Sequence, residues 1–241
     1  MITVTGLTKL YGALRAVDDF TFQVAPGEVV GLIGPNGAGK TSMLRCIAGI
    51  QRPSAGRIAV DGHDIVDDAV AAKQQLAFMA DEPQLFDYLT VMEHLRLTAR
   101  LYRVADVEAR AAALIGELQL TGKEQALPSE LSRGMKQKVA IACGLLHDPR
   151  AMLFDEPLTG LDPLGIRHMK ATIVERGRRG AVVISSHLLH LVEEICTRIV
   201  IIDRGRKVAD GTMAELSAQA ELAGAGSTLE QIFLKVTARE S

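Results

Sequence analysis

The sequence predicts an α/β fold: a mostly parallel sheet covered by helices, an antiparallel β portion at the N-terminus, and a block of helices inserted into the core. Three observations carry this. Short apolar runs of strand length alternate with helical patterns, as they do when helices cover a parallel sheet. Several early runs are separated only by turns such as Ala25-Pro26-Gly27, which suggests antiparallel pairing. From residue 90 to about 146 the strand pattern stops and helical patterns replace it. With 241 residues, 48% of them apolar, the chain can bury a substantial core as one α/β domain or two small lobes.

Strands are expected at residues 2–7, 20–24, 29–33, 57–60, 76–79, 152–154, 182–185 and 199–203. Thr90-Val91-Met92-Glu93 reads as a capping box that opens a helix to about Leu101. Asp106 opens a second, alanine-rich helix to about Leu118, and Ser132 caps a third that runs toward Leu146. No long linker sets this block apart, so residues 87–146 read as an insertion into a core formed by 1–86 and 147–217. In the remaining tail, 218–241, residues 218–227 are rich in Ala, Gly and Ser and read as a loose connection. A last short helix is expected over 229–236.

Bulk composition excludes little. The formal charge of -2 gives no general pull toward nucleic acid or an anionic membrane. Cys46, Cys143 and Cys196 are widely spaced, form no metal or redox pair, and read as free thiols in a reducing cytosol. MITVTGLTKLYG has no signal-peptide pattern. The apolar runs 29–33 and 199–202 are strand-sized, whereas a membrane span needs about 20 residues. A transport role therefore requires a pore supplied by another chain.

The chemistry begins at Gly34-Pro35-Asn36-Gly37-Ala38-Gly39-Lys40-Thr41. An apolar strand leads into it and Ser42 onward reads as a helix, which is the context a P-loop requires. Glycines let backbone N–H groups wrap phosphates, and the helix N-terminus adds positive potential. Gly34 to Ser42 are thus candidate nucleotide-binding residues, with Lys40 on the β- and γ-phosphates and the Thr41 hydroxyl on magnesium. The competing reading is a glycine-rich turn before a helix. Further on, Met152-Leu153-Phe154-Asp155-Glu156 is a buried-strand pattern ending in two carboxylates. Asp155 fits a magnesium role and Glu156 that of a general base for the attacking water. Alone, such a pair more often just terminates a strand; after a P-loop it points to a P-loop NTPase core.

The motif set then becomes specific. LSRGMKQK resembles the signature of the ATP-binding cassette (ABC) family, commonly Leu-Ser-Gly-Gly-Gln: Leu131, Ser132 and Gly134 match, while Arg133 and Met135 replace a glycine and the glutamine. MLFDEP follows as the Walker B element, Gly160-Leu161-Asp162 as the D-loop, and Ser185-Ser186-His187 as the switch histidine. Tyr11 matches the aromatic that stacks on adenine. The resemblance covers nearly the whole chain. It implies a head-to-tail dimer that sandwiches ATP between one protomer's P-loop and the other's Leu131–Met135 segment. It further implies that His187 contacts the γ-phosphate and the water. The remaining histidines, His63, His94, His147, His168 and His190, default to structure or solvent.

Two departures stand out. The family places a glutamine after the strand at 75–79; counting places Asp81 there, an added carboxylate near magnesium. Arg133, Lys136 and Lys138 read either as a solvated helix face or as extra cations near the partner's nucleotide. The variant signature, the Asp-Glu-Pro segment after residue 80 and the tail TLEQIFL resemble exporter-type cassettes that pair with separate membrane subunits.

The expected function is an ATPase subunit, most simply homodimeric, that uses ATP and Mg2+ to drive a transmembrane permease encoded as a separate chain. It would sit on the cytoplasmic face of the membrane through that partner, coupled through the segment from Asp81 to about Thr90, with no nucleic acid expected. The alternative is a soluble ABC ATPase acting on DNA or ribosomes, but such relatives usually carry tandem cassettes or long coiled coils, and this chain shows one cassette and no sustained heptads. A third, a nucleotide-binding module that does not turn over, is opposed by intact Lys40, Asp155, Glu156 and His187.

Overall fold

A computed structural model describes residues 1–220 and 228–238. Two sheets organise them. The first is antiparallel: β1 (Ile2–Tyr11), β2 (Leu14–Val24), β4 (Ala55–Val60) and β5 (His63–Asp64), in the order β2-β1-β4-β5. The second is the α/β sheet, in the order β10-β9-β3-β8-β7-β6, with β3 (Val29–Ile33), β6 (Leu76–Met79), β7 (Ala151–Asp155), β8 (Ala181–Ser185), β9 (Arg198–Asp203) and β10 (Arg206–Gly211). All its pairings are parallel except β9 with β10. β3, β7 and β8 are buried along their whole length, so they read as continuous apolar runs rather than alternating ones.

Helices cover this sheet. α1 (Lys40–Ile47) follows β3 and packs on the first sheet, while α2 (Ala69–Gln74) leads into β6. The inserted helices are α3 (Val91–Tyr102), α4 (Val107–Glu117) and α5 (Arg133–Leu145). They share a second core cluster with the other face of β6 and β7, joined by α6 (Pro163–Gly177) and α7 (Leu189–Ile195). α8 (Met213–Gln219) and α9 (Leu229–Ala238) close a third cluster over β9. Truncating a buried leucine of α5, such as Leu145, would cost about 2–5 kcal/mol.

The capping box of α3 is formed on both sides: Glu93 N–H donates to Thr90 Oγ1 at 3.2 Å and Thr90 N–H to Glu93 Oε2 at 2.8 Å. Asp106 differs from expectation. It precedes α4 in a left-handed conformation (φ 52°) and its side chain makes no cap hydrogen bond. The sequence reading also missed the outer half of the β1–β2 hairpin and all of β10. Their alternation is obscured by charged and exposed residues, as in Arg206-Lys207-Val208-Ala209-Asp210. Of the loose connection expected over 218–227, residues 221–227 lie outside the described residues; Ala218 and Gln219 end α8. Burial pushes the thiols of Cys46 and Cys143 up to about 11 and that of Cys196 up to about 12, so at neutral pH they stay protonated and unreactive.

Candidate active site

β3 delivers the phosphate loop at the C-terminal edge of the sheet, and β7 and β8 end beside it. The loop's geometry requires its glycines. Gly39 has φ 104°, and a Cβ there would stand 2.2 Å from the Ala16 carbonyl oxygen. The tip of the β9–β10 hairpin pins the loop from the other side: Gly205 N–H donates to the Ala38 carbonyl at 2.9 Å, and Asp18 N–H donates to the Gly205 carbonyl at 2.9 Å.

α1 starts at Lys40 with no side-chain cap and no acidic residue in its first turn. By contrast, side chains cap α3, α5, α6 and α8. The first N–H groups of α1 are therefore left for an external acceptor, and with the dipole they select an anion. Lys40 is only 7% exposed, and its Nζ donates to the carbonyls of Gly34 at 2.7 Å and Pro35 at 3.1 Å. Burial lowers its pKa, while Glu156 and Asp155 oppose that shift.

Asp155 is buried at the end of β7 and accepts from Ser185 Oγ at 2.6 Å and from Thr41 Oγ1 at 3.2 Å. A fixed carboxylate and a hydroxyl thus converge at the loop's helix start. Glu156 follows in the left-handed region (φ 51°), a strain on the order of 1 kcal/mol for a non-glycine residue. Its N–H is held by the Ser185 hydroxyl and carbonyl, both at 3.1 Å, and its Oε2 lies 2.9 Å from His187 Nδ1. A carboxylate held by an imidazole at the mouth of a phosphate loop can orient and deprotonate water.

Tyr11, Leu14, Ala16, the loop from Asn36 to Ser42, Asp81 and Glu156 line one cleft of about 400 Å³. Tyr11 reaches it because β1 and β2 extend beyond the predicted strands; its hydroxyl donates to Gln51 Oε1 and lies 3.4 Å from Ser42 Oγ. The signature segment is not in this cleft. Ser132 and Arg133 are exposed at the N-terminus of α5, where Ser132 Oγ accepts from Met135 N–H at 3.3 Å. Leu131 is 6% exposed and packs in the helical core, which anchors the segment. Met135 is partly buried against the same core. Asp162 is committed to its own helix, accepting from Gly165 N–H at 2.6 Å as the cap of α6.

Two functional contacts were not foreseen. Ser185 ties Asp155 to Glu156; its signal was a hydroxyl closing the apolar run AVVISS. Gln137, buried in α5, donates to the Ala80 carbonyl at 3.2 Å, joining the signature helix to the segment that holds Asp81.

Residues 17–159 match the ABC transporter family model, and the chain is 34% identical over its full length to the ABC-type transporter ATP-binding protein EcsA of Bacillus subtilis, covering 98% of that protein. The chain belongs to the ABC transporter family. This ATP-binding subunit is also 37% identical to a Nod factor export ATP-binding protein of Paraburkholderia xenovorans, over 87% of this chain and 70% of that one. A solved ATP-binding subunit of an ABC transporter superimposes with a TM-score of 0.93 at 34% identity, over 98% of this chain and 99% of that one. A dimeric bacterial ABC transporter cassette superimposes with a TM-score of 0.79 at 25% identity, over 88% and 99%. The chain is accordingly an ATP-binding ABC ATPase. The DNA- or ribosome-acting alternative is not favoured by these relatives. Among the described residues no helix is long and apolar enough to cross a membrane.

Proposed function

We propose that two copies of this subunit close head to tail around two ATP molecules with magnesium, and that closing and reopening drive a separate membrane permease in the direction of export. One observation carries the reading. Ser132, the Gly134 backbone and the N-terminus of α5 form a donor set for phosphate, yet they stand outside the chain's own cleft. A second protomer's nucleotide would complete them. The dimeric neighbour supports this arrangement, and the relative named for Nod factor export supports the direction.

Within one half-site Lys40 would exchange the carbonyls of Gly34 and Pro35 for the β- and γ-phosphates. Tyr11 would stack on adenine from its place beside Ser42. The Thr41 hydroxyl and Asp155 carboxylate fit magnesium: both are hard oxygen donors and they already lie 3.2 Å apart. When bound, that ion supplies charge neutralisation across the phosphate oxygens. Glu156 would take the proton of the attacking water, with His187 holding its carboxylate and facing the γ-phosphate. Asp162 would keep the D-loop in shape by capping α6. We read 1–86 and 147–217 as the core lobe and 87–146 as the lobe that carries the signature.

The permease would dock on an apolar groove of about 390 Å³ between β6 and helices α3 and α5, lined by Phe78, Met79, Leu85, Leu97 and Tyr102 among others. Phe86, in its lining, is 62% exposed, and Tyr88, two residues on, is 91% exposed. This would hold the subunit at the cytoplasmic face. The deciding experiment is Glu156→Gln. Hydrolysis should fall about 100-fold or more, and ATP should convert the variant to a dimer by light scattering. A monomer at saturating ATP would sink the head-to-tail reading. Native extraction should recover a membrane protein with the wild-type chain and lose it when Phe86 and Tyr88 are replaced by serine.

A further inference from the structure

Two of the positions where the chain departs from the family pattern meet in space. Arg133 Nη2 lies 3.4 Å from Asp81 Oδ1, across 52 residues of sequence. Each belongs to a different half-site. Asp81 lines the chain's own ATP cleft with Thr41 and Glu156. Arg133 opens the helix capped by Ser132, outside that cleft. The arginine stem also lies along the start of the D-loop: a Cβ on Gly160 would stand 3.4 Å from both Arg133 Cδ and Nε. The buried Gln137 amide holds the Ala80 carbonyl at 3.2 Å, so the backbone beside Asp81 is pinned to α5 while the carboxylate is left to turn.

We propose that Asp81 and Arg133 form a relay between the two half-sites. Without nucleotide the carboxylate holds the guanidinium. With magnesium and ATP in the chain's own cleft, the carboxylate turns toward the cation, which a hard anionic oxygen favours. The guanidinium is then released, and its fixed fork of donors suits the γ-phosphate that the partner presents at Ser132 and Gly134. The exchange is feasible because both side chains are substantially solvated, 58% and 43% exposed, and such pairs hold weakly. In this account Asp81 is a positioning residue: it governs where Arg133 points. The proposal rests on the head-to-tail dimer described above.

The test is a double-mutant cycle in the Glu156→Gln background, using Asp81→Asn and Arg133→Gln, with the ATP concentration for half-maximal dimerisation read by light scattering with and without magnesium. Asp81→Asn should free the arginine permanently, lowering the ATP requirement about fivefold when magnesium is absent and narrowing the magnesium effect. Arg133→Gln should raise the requirement, and in that background Asp81→Asn should change nothing. Thermal midpoints should match across the set because the pair is exposed. Equal effects of Asp81→Asn in both backgrounds would overturn the relay while leaving the dimer intact. Failure of the Glu156→Gln parent to dimerise would instead remove the head-to-tail reading, and the relay with it.

Discussion

Lys40, Asp155 and Ser185 are buried, and each is held by hydrogen bonds from another part of the loop or sheet. Ser132, Arg133 and Asp81 stand wholly or partly in solvent, and the latter two hold each other at 3.4 Å. The first group rests on three parallel strands; the second on one helix end and the segment beside it. The contrast separates binding from communication. A desolvated site gains more from each charged hydrogen bond, and it also loses more when one partner is removed. Exposed groups contribute little to stability and are free to change partners.

The largest expected effect breaks the comparison on the buried side. Lys40→Ala should weaken ATP binding about 100-fold, from two charged hydrogen bonds of about 1.5–3 kcal/mol each, while Arg133→Gln should leave monomer affinity within about twofold. Calorimetry on the two variants checks this, and similar losses in both would erase the distinction. Next comes Tyr11→Ala, at the rim between the regions. Loss of one base stack of about 1–3 kcal/mol should weaken ATP binding roughly tenfold, with a smaller loss for Tyr11→Phe because the ring is kept; competition binding would read both.

The smallest effect lies outside both regions and sets a baseline. Hydrogen bonds from Thr90 and Thr212 hold the Glu93 and Glu215 carboxyls below their ordinary value of 4.5. Both pKa values are depressed in the folded chain. Their contribution is therefore present above about 4.5 and lost as pH falls through the lowered values. Between pH 6 and pH 3 the thermal midpoint should fall less in a Glu93→Gln/Glu215→Gln variant than in the parent. Equal slopes would mean that these caps contribute nothing to acid sensitivity.

The buried region was largely legible in the sequence. A glycine-rich loop was expected between a strand and a helix, and a second apolar strand was expected to end at Asp155-Glu156; β3, α1 and β7 have those bounds to within two residues. The contacts that join the regions were not legible. Arg133 and Asp81 each looked like a separate departure, because nothing local says that residues 52 positions apart will meet. The Gln137 bond to Ala80 is likewise fixed by how α5 packs on β6. β10 and the outer β1–β2 hairpin were missed because their charged and exposed residues hide the alternation. Yet that hairpin is what brings Tyr11 to Ser42.

The hairpin tip at Gly205 has a consequence for the timing of synthesis. β3 gains its neighbours only from β8 and β9, and the amide that pins Ala38 comes later still. At a translation rate of about 10 residues per second, GPNGAGKT leaves the ribosome roughly 15 s before that tip is made. A chain arrested short of Arg198 carries every letter of the motif, but β3 still lacks β9 and the loop still lacks the Gly205 amide.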